Sequence, residues 1–258
     1  MSITRRCVQW CIIGLLVFSP DLFSASGFVS SKNGIFGCVS GNGFNGLNGG
    51  EKTFSFDFSS STHGWIGGFS DYPQGQALFF ELIFDFRPLL PNLNPNRSGL
   101  FISGNNHSDD LFMFVKRQVS GLAPNRSYLV DFEVEIGSEA GSDCFGAGGS
   151  PAITLKAGAS AIEPVAVVDS TGFLRMNIDK GDQSVGGQNA KVLGDIGVDV
   201  DCLSPVFKSK QLQSSTGDLL EVITDSSGAV WLIVGTDSSF EGITRLFYTN
   251  ISAHFSPG

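Results

Sequence analysis

Tyr128-Leu129-Val130-Asp131-Phe132-Glu133-Val134-Glu135-Ile136 is the stretch on which the reading of the fold turns. Large apolar side chains at Tyr128, Val130, Phe132, Val134 and Ile136 alternate with the carboxylates of Asp131, Glu133 and Glu135. Successive side chains of a strand point to opposite faces, so this two-residue period places one face in a core and the other in water.

The same period recurs on both sides of that stretch. Phe54, Phe56 and Phe58 alternate with Ser55 and Asp57, and Leu78, Phe80, Leu82, Phe84 and Phe86 are predicted to fill one face of the next strand. Further strands are predicted over 99–103, 111–117, 152–157, 164–168, 173–178, 191–196 and 206–212. Two more, 219–224 and 229–235, flank Asp225-Ser226-Ser227-Gly228, whose residue types suit a hairpin turn. A last long strand, 243–255, would set Ile243, Phe247, Ile251 and Phe255 on one side. From Thr53 onward no helical period competes. With 33 Gly and 23 Phe but only 16% charged residues, the composition also favours strands joined by turns. The fold class is all-β, an antiparallel β-sandwich.

The first residues address compartment. Arg5 and Arg6 precede an apolar run over 7–18, and Ser24, Ala25 and Ser26 supply small residues at a cleavage site, so residues 1–26 read as a signal peptide. That run is shorter than the roughly 20 apolar residues of a membrane-spanning helix. No later stretch reaches that length, so the protein is expected to be secreted, extracellular or periplasmic, with no transmembrane helix after cleavage. Residues 27–52 are dense in Gly, Asn and Ser and read as a flexible tether, leaving 53–258 as one domain. Cys38 follows Ile35, Phe36 and Gly37 as in a lipobox, but polar residues occupy 30–33 where the apolar run belongs, which argues against lipid anchoring. Removing Arg5, Arg6 and Asp21 from 16 basic and 25 acidic residues leaves 14 against 24, a net −10. Such a surface repels nucleic acid and anionic lipid. Of the three cysteines left after cleavage, Cys144 and Cys202 lie in polar loops and are the disulfide candidate, with Cys38 left free; spacing alone does not fix the pairing.

Gly121-Leu122-Ala123-Pro124-Asn125-Arg126-Ser127-Tyr128, with the strand that follows, resembles the turn and strand of jelly-roll carbohydrate-binding modules of the galactose-binding-like type. Leu246-Phe247-Tyr248-Thr249-Asn250-Ile251-Ser252 is similar to the last strand of those modules. The resemblance implies a jelly-roll topology and a glycan, or another cell-surface ligand, as partner. The blocks at 105–114 and 175–184 resemble an uncharacterised group of bacterial secreted proteins and lipoproteins, which implies export and no particular activity.

Candidate chemistry lies mostly in two polar loops. Asn105, Asn106, His107, Asp109 and Asp110 form an oxygen-rich loop of the kind that holds calcium, or a metal through His and two carboxylates; Asx-turn capping is the alternative. Asn177, Asp179, Lys180, Asp182 and Gln183 form the second, read as a surface loop that either lines a binding groove or is purely structural. Asp195, Asp199 and Asp201 are a third acidic cluster, where calcium would be structural. No motif demands a cofactor, and a structural calcium is the ion the residue types suggest first. Among aromatics able to stack on a sugar, Trp65 has Gly64, Gly67 and Gly68 as neighbours and reads equally as platform or core, Tyr72 is a further platform candidate, and Trp231 reads as core.

Three functions follow. A non-catalytic binding module would use Trp65, Tyr72 and the two loops. A glycoside hydrolase would use Asp131, Glu133 and Glu135, since retaining hydrolysis needs carboxyl groups about 5–5.5 Å apart and strand neighbours at i and i+2 approach that. Their order, Asp-Glu-Glu, departs from the Glu-Asp-Glu of certain retaining glucanases, and a solvated strand face explains them as well. A structural surface or matrix protein is the third. Serine-elbow and catalytic-cysteine motifs are absent from the sequence.

Overall fold

The 128–136 stretch forms the middle of β7 (Ser127–Ser138), and Tyr128, Val130, Phe132, Val134 and Ile136 are all buried. The computed structural model describes residues 50–144 and 153–258, all within one compact unit, Asn45–Gly258. The predicted signal peptide, Cys38 and most of the predicted tether lie outside the described residues. Lys52, assigned to the tether, already opens β1 (Lys52–Asp57).

The other strands are β2 (Ile66–Ser70), β3 (Tyr72–Pro73), β4 (Ile83–Pro88), β5 (Ser98–Asn105), β6 (Leu111–Val119), β8 (Ile153–Ser160), β9 (Ala166–Val168), β10 (Phe173–Met176), β11 (Ala190–Asp195), β12 (Lys208–Gln213), β13 (Leu220–Ile223), β14 (Val230–Ser238) and β15 (Ile243–Pro257). Among the described residues there is no helix. A seven-stranded sheet runs β12-β7-β15-β5-β4, with β1 also on β15 and β13 on β7; a five-stranded sheet runs β11-β8-β14-β6-β2. All their pairings are antiparallel. The protein is an antiparallel β-sandwich of the jelly-roll type. Tyr128, Val130, Phe132, Val134 and Ile136 share one core with Leu155, Ala157, Ala159, Leu232 and Val234 of the five-stranded sheet. Each such side chain fully buried stabilises the fold by about 1.5–3 kcal/mol in transfer terms, which is why the alternation governs the register.

The outer face of the five-stranded sheet is covered too. A small sheet, β3-β10-β9, and the turn after it lay Met176 and Ile178 over Phe112, Phe114 and Ile233. Strand β6 is thus buried on both faces, so residues 111–115 are continuously apolar instead of alternating.

Four sequence expectations are corrected. Residues 76–82 form turns, with Phe80 N–H donating to Gln76 O at 3.0 Å and Glu81 at φ +50°, so the strand begins only at Ile83 and Leu78 stands 94% exposed. In β15 the register with β7 shifts between Tyr248 and Asn250. Before the shift Phe247 faces outward onto Leu89, Phe101 and Phe207, whereas Ile251 and Phe255 beyond it enter the main core, so Ile243, Phe247, Ile251 and Phe255 do not share a side. Trp65 is 1% exposed, edge-on to Phe56 and Phe58 at 5.4 and 6.1 Å, and is no open platform. Its glycine neighbours make room for other rings: a Cβ on Gly67 would lie 2.2 Å from Phe84, and one on Gly68 2.4 Å from Phe114. Trp231 alternates with the core residues Val230 and Leu232 and is half-buried on the outer face, 5.4 Å below the Lys116 ammonium.

The resemblance motif at 121–128 holds a defined corner. Ala123 N–H donates to the Tyr128 hydroxyl at 3.0 Å, and Asn125 takes φ +50°. Opposite it, the 225–228 turn is built as its residues suggest, with Asp225 Oδ1 accepting from the N–H groups of Ser227 and Ala229 and Gly228 at φ +75°.

Candidate functional site

The 106–110 loop between β5 and β6 is pinned from beneath. Asn106 is buried, and its amide donates to Ser238 O at 2.9 Å and Phe240 O at 3.0 Å, while its Oδ1 accepts from Ser108 N–H. The second polar loop reaches it directly: Gln183 Nε2 donates to Asp109 O at 3.0 Å. The two loops therefore meet, and most of what they bring together is buried charge.

Asp237 and Lys156, both 0% exposed, pair at 2.7 Å on the outer face of the five-stranded sheet. Lys180 from the second loop reaches the same Asp237 oxygen at 2.8 Å and Asp71 at 3.2 Å. Arg175 on β10 binds Asp71 at 2.9 Å and Asp110 at 3.0 Å. Three acids thus face three bases. Burial raises the Asp110 pKa to about 7, helped by the Asp71 charge. Burial lowers that of Lys156 against the pull of Asp237, whereas on Lys180 the Asp237 and Asp71 carboxylates outweigh burial and raise it. Asp110 Oδ1 and Asp237 Oδ1 are buried without a partner among the described residues.

Carboxylate oxygens of Asp71, Asp110 and Asp237 lie within 4.8 Å of one another. Calcium seeks six to eight oxygens. Here two ammonium groups already sit on Asp237 and one on Asp71, so a divalent ion would meet Lys180 and Lys156 at contact range, and the residues do not fit it. Asp195, Asp199 and Asp201 are not gathered either. Asp195 accepts from Gly197 N–H and Lys210, Asp199 faces Lys208, and Asp201 caps its own turn through Leu203 and Ser204.

The accessible part of the 105–110 loop lies at its other end. Phe80 is buried against Tyr72 at 5.4 Å and edge-on to His107 at 5.5 Å, and its carbonyl accepts from Asn105 N–H at 2.7 Å. With Phe80 plugged inward, the preceding Phe79 is turned out, 59% exposed, and stacks on the His107 ring at 4.3 Å and 31°. His107 also lines an open recess of about 320 Å³ with Asn105, Asn106, Glu241 and Gly242. Asn105 Nδ2 donates to Glu81 Oε1 at 2.9 Å, fixing the amide at the rim.

The sequence-predicted residues are therefore divided. Asn105 and His107 lie on the recess; Asp109 is exposed beside it, tied by its carbonyl to Gln183; Asp110 and Lys180 belong to the buried network; and Tyr72 is buried beneath Phe80. Asn177 and Asp179 line a separate cleft of about 530 Å³ with Ser160, Gln188 and the exposed Ile162 and Ile223. In that cleft Asn177 donates to Glu163 O and Asp179 accepts from Gly181 and Gln188 N–H, so both serve their own loop. Phe79, Glu241, Asp71, Lys156, Arg175 and Asp237 were not singled out from sequence. For Phe79 a signal existed, since adjacent Phe79 and Phe80 break the two-residue period.

Asp131, Glu133 and Glu135 share the outer face of the seven-stranded sheet, opposite His254, Ser252 and Asn250. Glu135 accepts from Ser209 at 3.0 Å and Thr249 at 2.7 Å, one oxygen each.

No known protein family matches the chain, and no curated protein matches it. Solved structures do. The CBM22-1 xylan-binding domain from Paenibacillus barcinonensis Xyn10C is 12% identical, with a TM-score of 0.36, over 81% of this chain and 97% of that one. TmCBM27, a carbohydrate-binding module that recognises mannan, is 10% identical at 0.35, over 79% and 97%. TmCBM61, solved with β-1,4-galactotriose, is 10% identical at 0.33, over 76% and 89%. Likenesses of this size carry no functional argument, which has to come from the site itself.

Proposed function

We propose that the protein is a non-catalytic binding module that holds a glycan at the Phe79–His107 end of the sandwich. The observation that carries this reading is an exposed aromatic ring, stacked on His107, beside an open recess rimmed by Asn105 and Glu241. A sugar ring has apolar C–H faces and hydroxyl edges, so it suits a flat ring for its face and amide or carboxylate groups for its edge. The resemblance of the 121–136 and 246–252 segments to carbohydrate-binding modules supports the same reading. We infer further that residues 1–26 direct export and that the stretch from 27 up to β1 tethers the domain. The disulfide that joins Cys144 to Cys202 suits an oxidising compartment.

The hydrolase alternative draws no support from Glu135, whose two oxygens are already engaged. A panel of oligosaccharides titrated calorimetrically against the wild type and Phe79→Ala tests the proposal. Binding by the wild type, weakened at least about tenfold in the variant, is expected on removal of a stacking platform. Equal affinity of the two proteins for every bound sugar would overturn it.

A further inference from the structure

Charge at the recess is unlike that of the network behind it. Glu241 is exposed and has no partner among the described residues, and it lines the recess beside His107. Among the described residues Glu81 accepts only the neutral amide of Asn105, so its charge is not compensated there, and Asp109 stands exposed two residues beyond His107. The neighbouring cations are committed elsewhere. Arg175 faces Asp71, Asp110 and Asp169, Lys180 and Lys156 are held by Asp237, and Arg245 pairs with Glu139 at 2.5 Å. The rim is thus net negative on a chain that is itself at −9. Its platform acts in the same sense, because the face of an aromatic ring attracts a cation.

Resting on the glycan-binding reading above, we propose that this recess selects sugars bearing a free amine, as in a deacetylated amino-sugar polymer, over neutral sugars, and rejects uronic acids. An ammonium on the sugar would donate charge-assisted hydrogen bonds to Glu241 or Glu81 while its ring lies on Phe79. A uronate carboxylate would instead enter a field of three like charges with no lysine or arginine free among the described residues, His107 being the one base on the recess.

The test is calorimetry with three tetrasaccharides, of glucosamine, N-acetylglucosamine and galacturonic acid, at low salt and a pH where the amine is protonated. Expected is an order of affinity glucosamine, N-acetylglucosamine, galacturonate, with the first step about tenfold for an ion pair plus a cation–π contact. Raising salt to 0.5 M should narrow that step, since exposed charges are screened. Glu241→Gln should narrow it too, whereas Glu133→Gln on the far sheet face should leave it alone. If the N-acetylated and amine sugars bind equally, or the uronate binds best, while Phe79→Ala still abolishes binding, the charge inference is wrong and the platform stands. If none of the three binds the wild type, the glycan reading fails and this inference with it.

Discussion

One five-residue loop serves two regions of opposite character. At its far end Asp110, half-buried, is drawn into a network in which it and the buried Asp71 and Asp237 face three bases. At its near end His107 opens onto a recess lined by Glu241, a carboxylate with no lysine or arginine paired to it among the described residues. The same residue types therefore do different work according to burial. Charges withdrawn from water must be matched by partners, and once matched they hold segments together. Charges left at an open rim next to an exposed ring are free for a ligand.

The comparison breaks most visibly at Asp237. Asp237→Ala would leave Lys156 and Lys180 buried without their common partner, and a loss of about 3–5 kcal/mol is expected in urea unfolding. A loss below about 1 kcal/mol would show that the network is not closed to water.

Asp110 gives a smaller effect with a definite sign. Its pKa rises from the ordinary 3.8 to about 7 on folding, so between those values the folded chain binds the extra proton. Stability from this group is complete below about pH 4, declines as pH rises toward 7, and is flat above. The carboxyls of Asp57 and Asp179 are lowered instead and act in the opposite sense, losing their contribution only in more acid solution. Asp110→Asn keeps an acceptor for Arg175 and offers an N–H to the unpartnered Asp237 Oδ1. It should remove the decline and stabilise the protein at pH 8 by about 1.5–3 kcal/mol, the worth of a hydrogen bond to a charged group. A variant whose pH profile parallels the wild type would rule out Asp110 as its source.

Phe79→Ala should produce the smallest change in stability, under about 1 kcal/mol by thermal unfolding, because the ring is mostly in water. That neutrality sharpens the contrast, since the same substitution is expected to remove binding.

The strands were legible where one face meets water, as in β7, because the two-residue period is a direct imprint of burial. Legibility ended where that condition fails. Residues 76–82 keep an apolar look while folding as turns, the bulge at 248–250 reverses the faces of β15, and the glycines beside Trp65 admit other rings instead of exposing it. The loop at 105–110 could be marked as polar, and three of its residues, Asn105, Asn106 and His107, do line the recess. The buried network could not be read, because Asp71, Asp110, Lys156, Arg175, Lys180 and Asp237 come from separate segments that only the packing of the small sheet on the large one brings together. Phe79 was missed in another way, because the alternation of Leu78, Phe80 and Leu82 suggested a strand although the Phe79-Phe80 pair interrupts its period.

Nuclear magnetic resonance of isotopically labelled protein, titrated with a bound oligosaccharide, tests the platform most directly. Shift changes confined to Phe79, Glu81, Asn105, His107 and Glu241, with Lys156 and Asp237 unmoved, are expected. Changes centred on Asp131, Glu133 and Gln213, or on Ile162 and Ile223, would contradict the placement of the site.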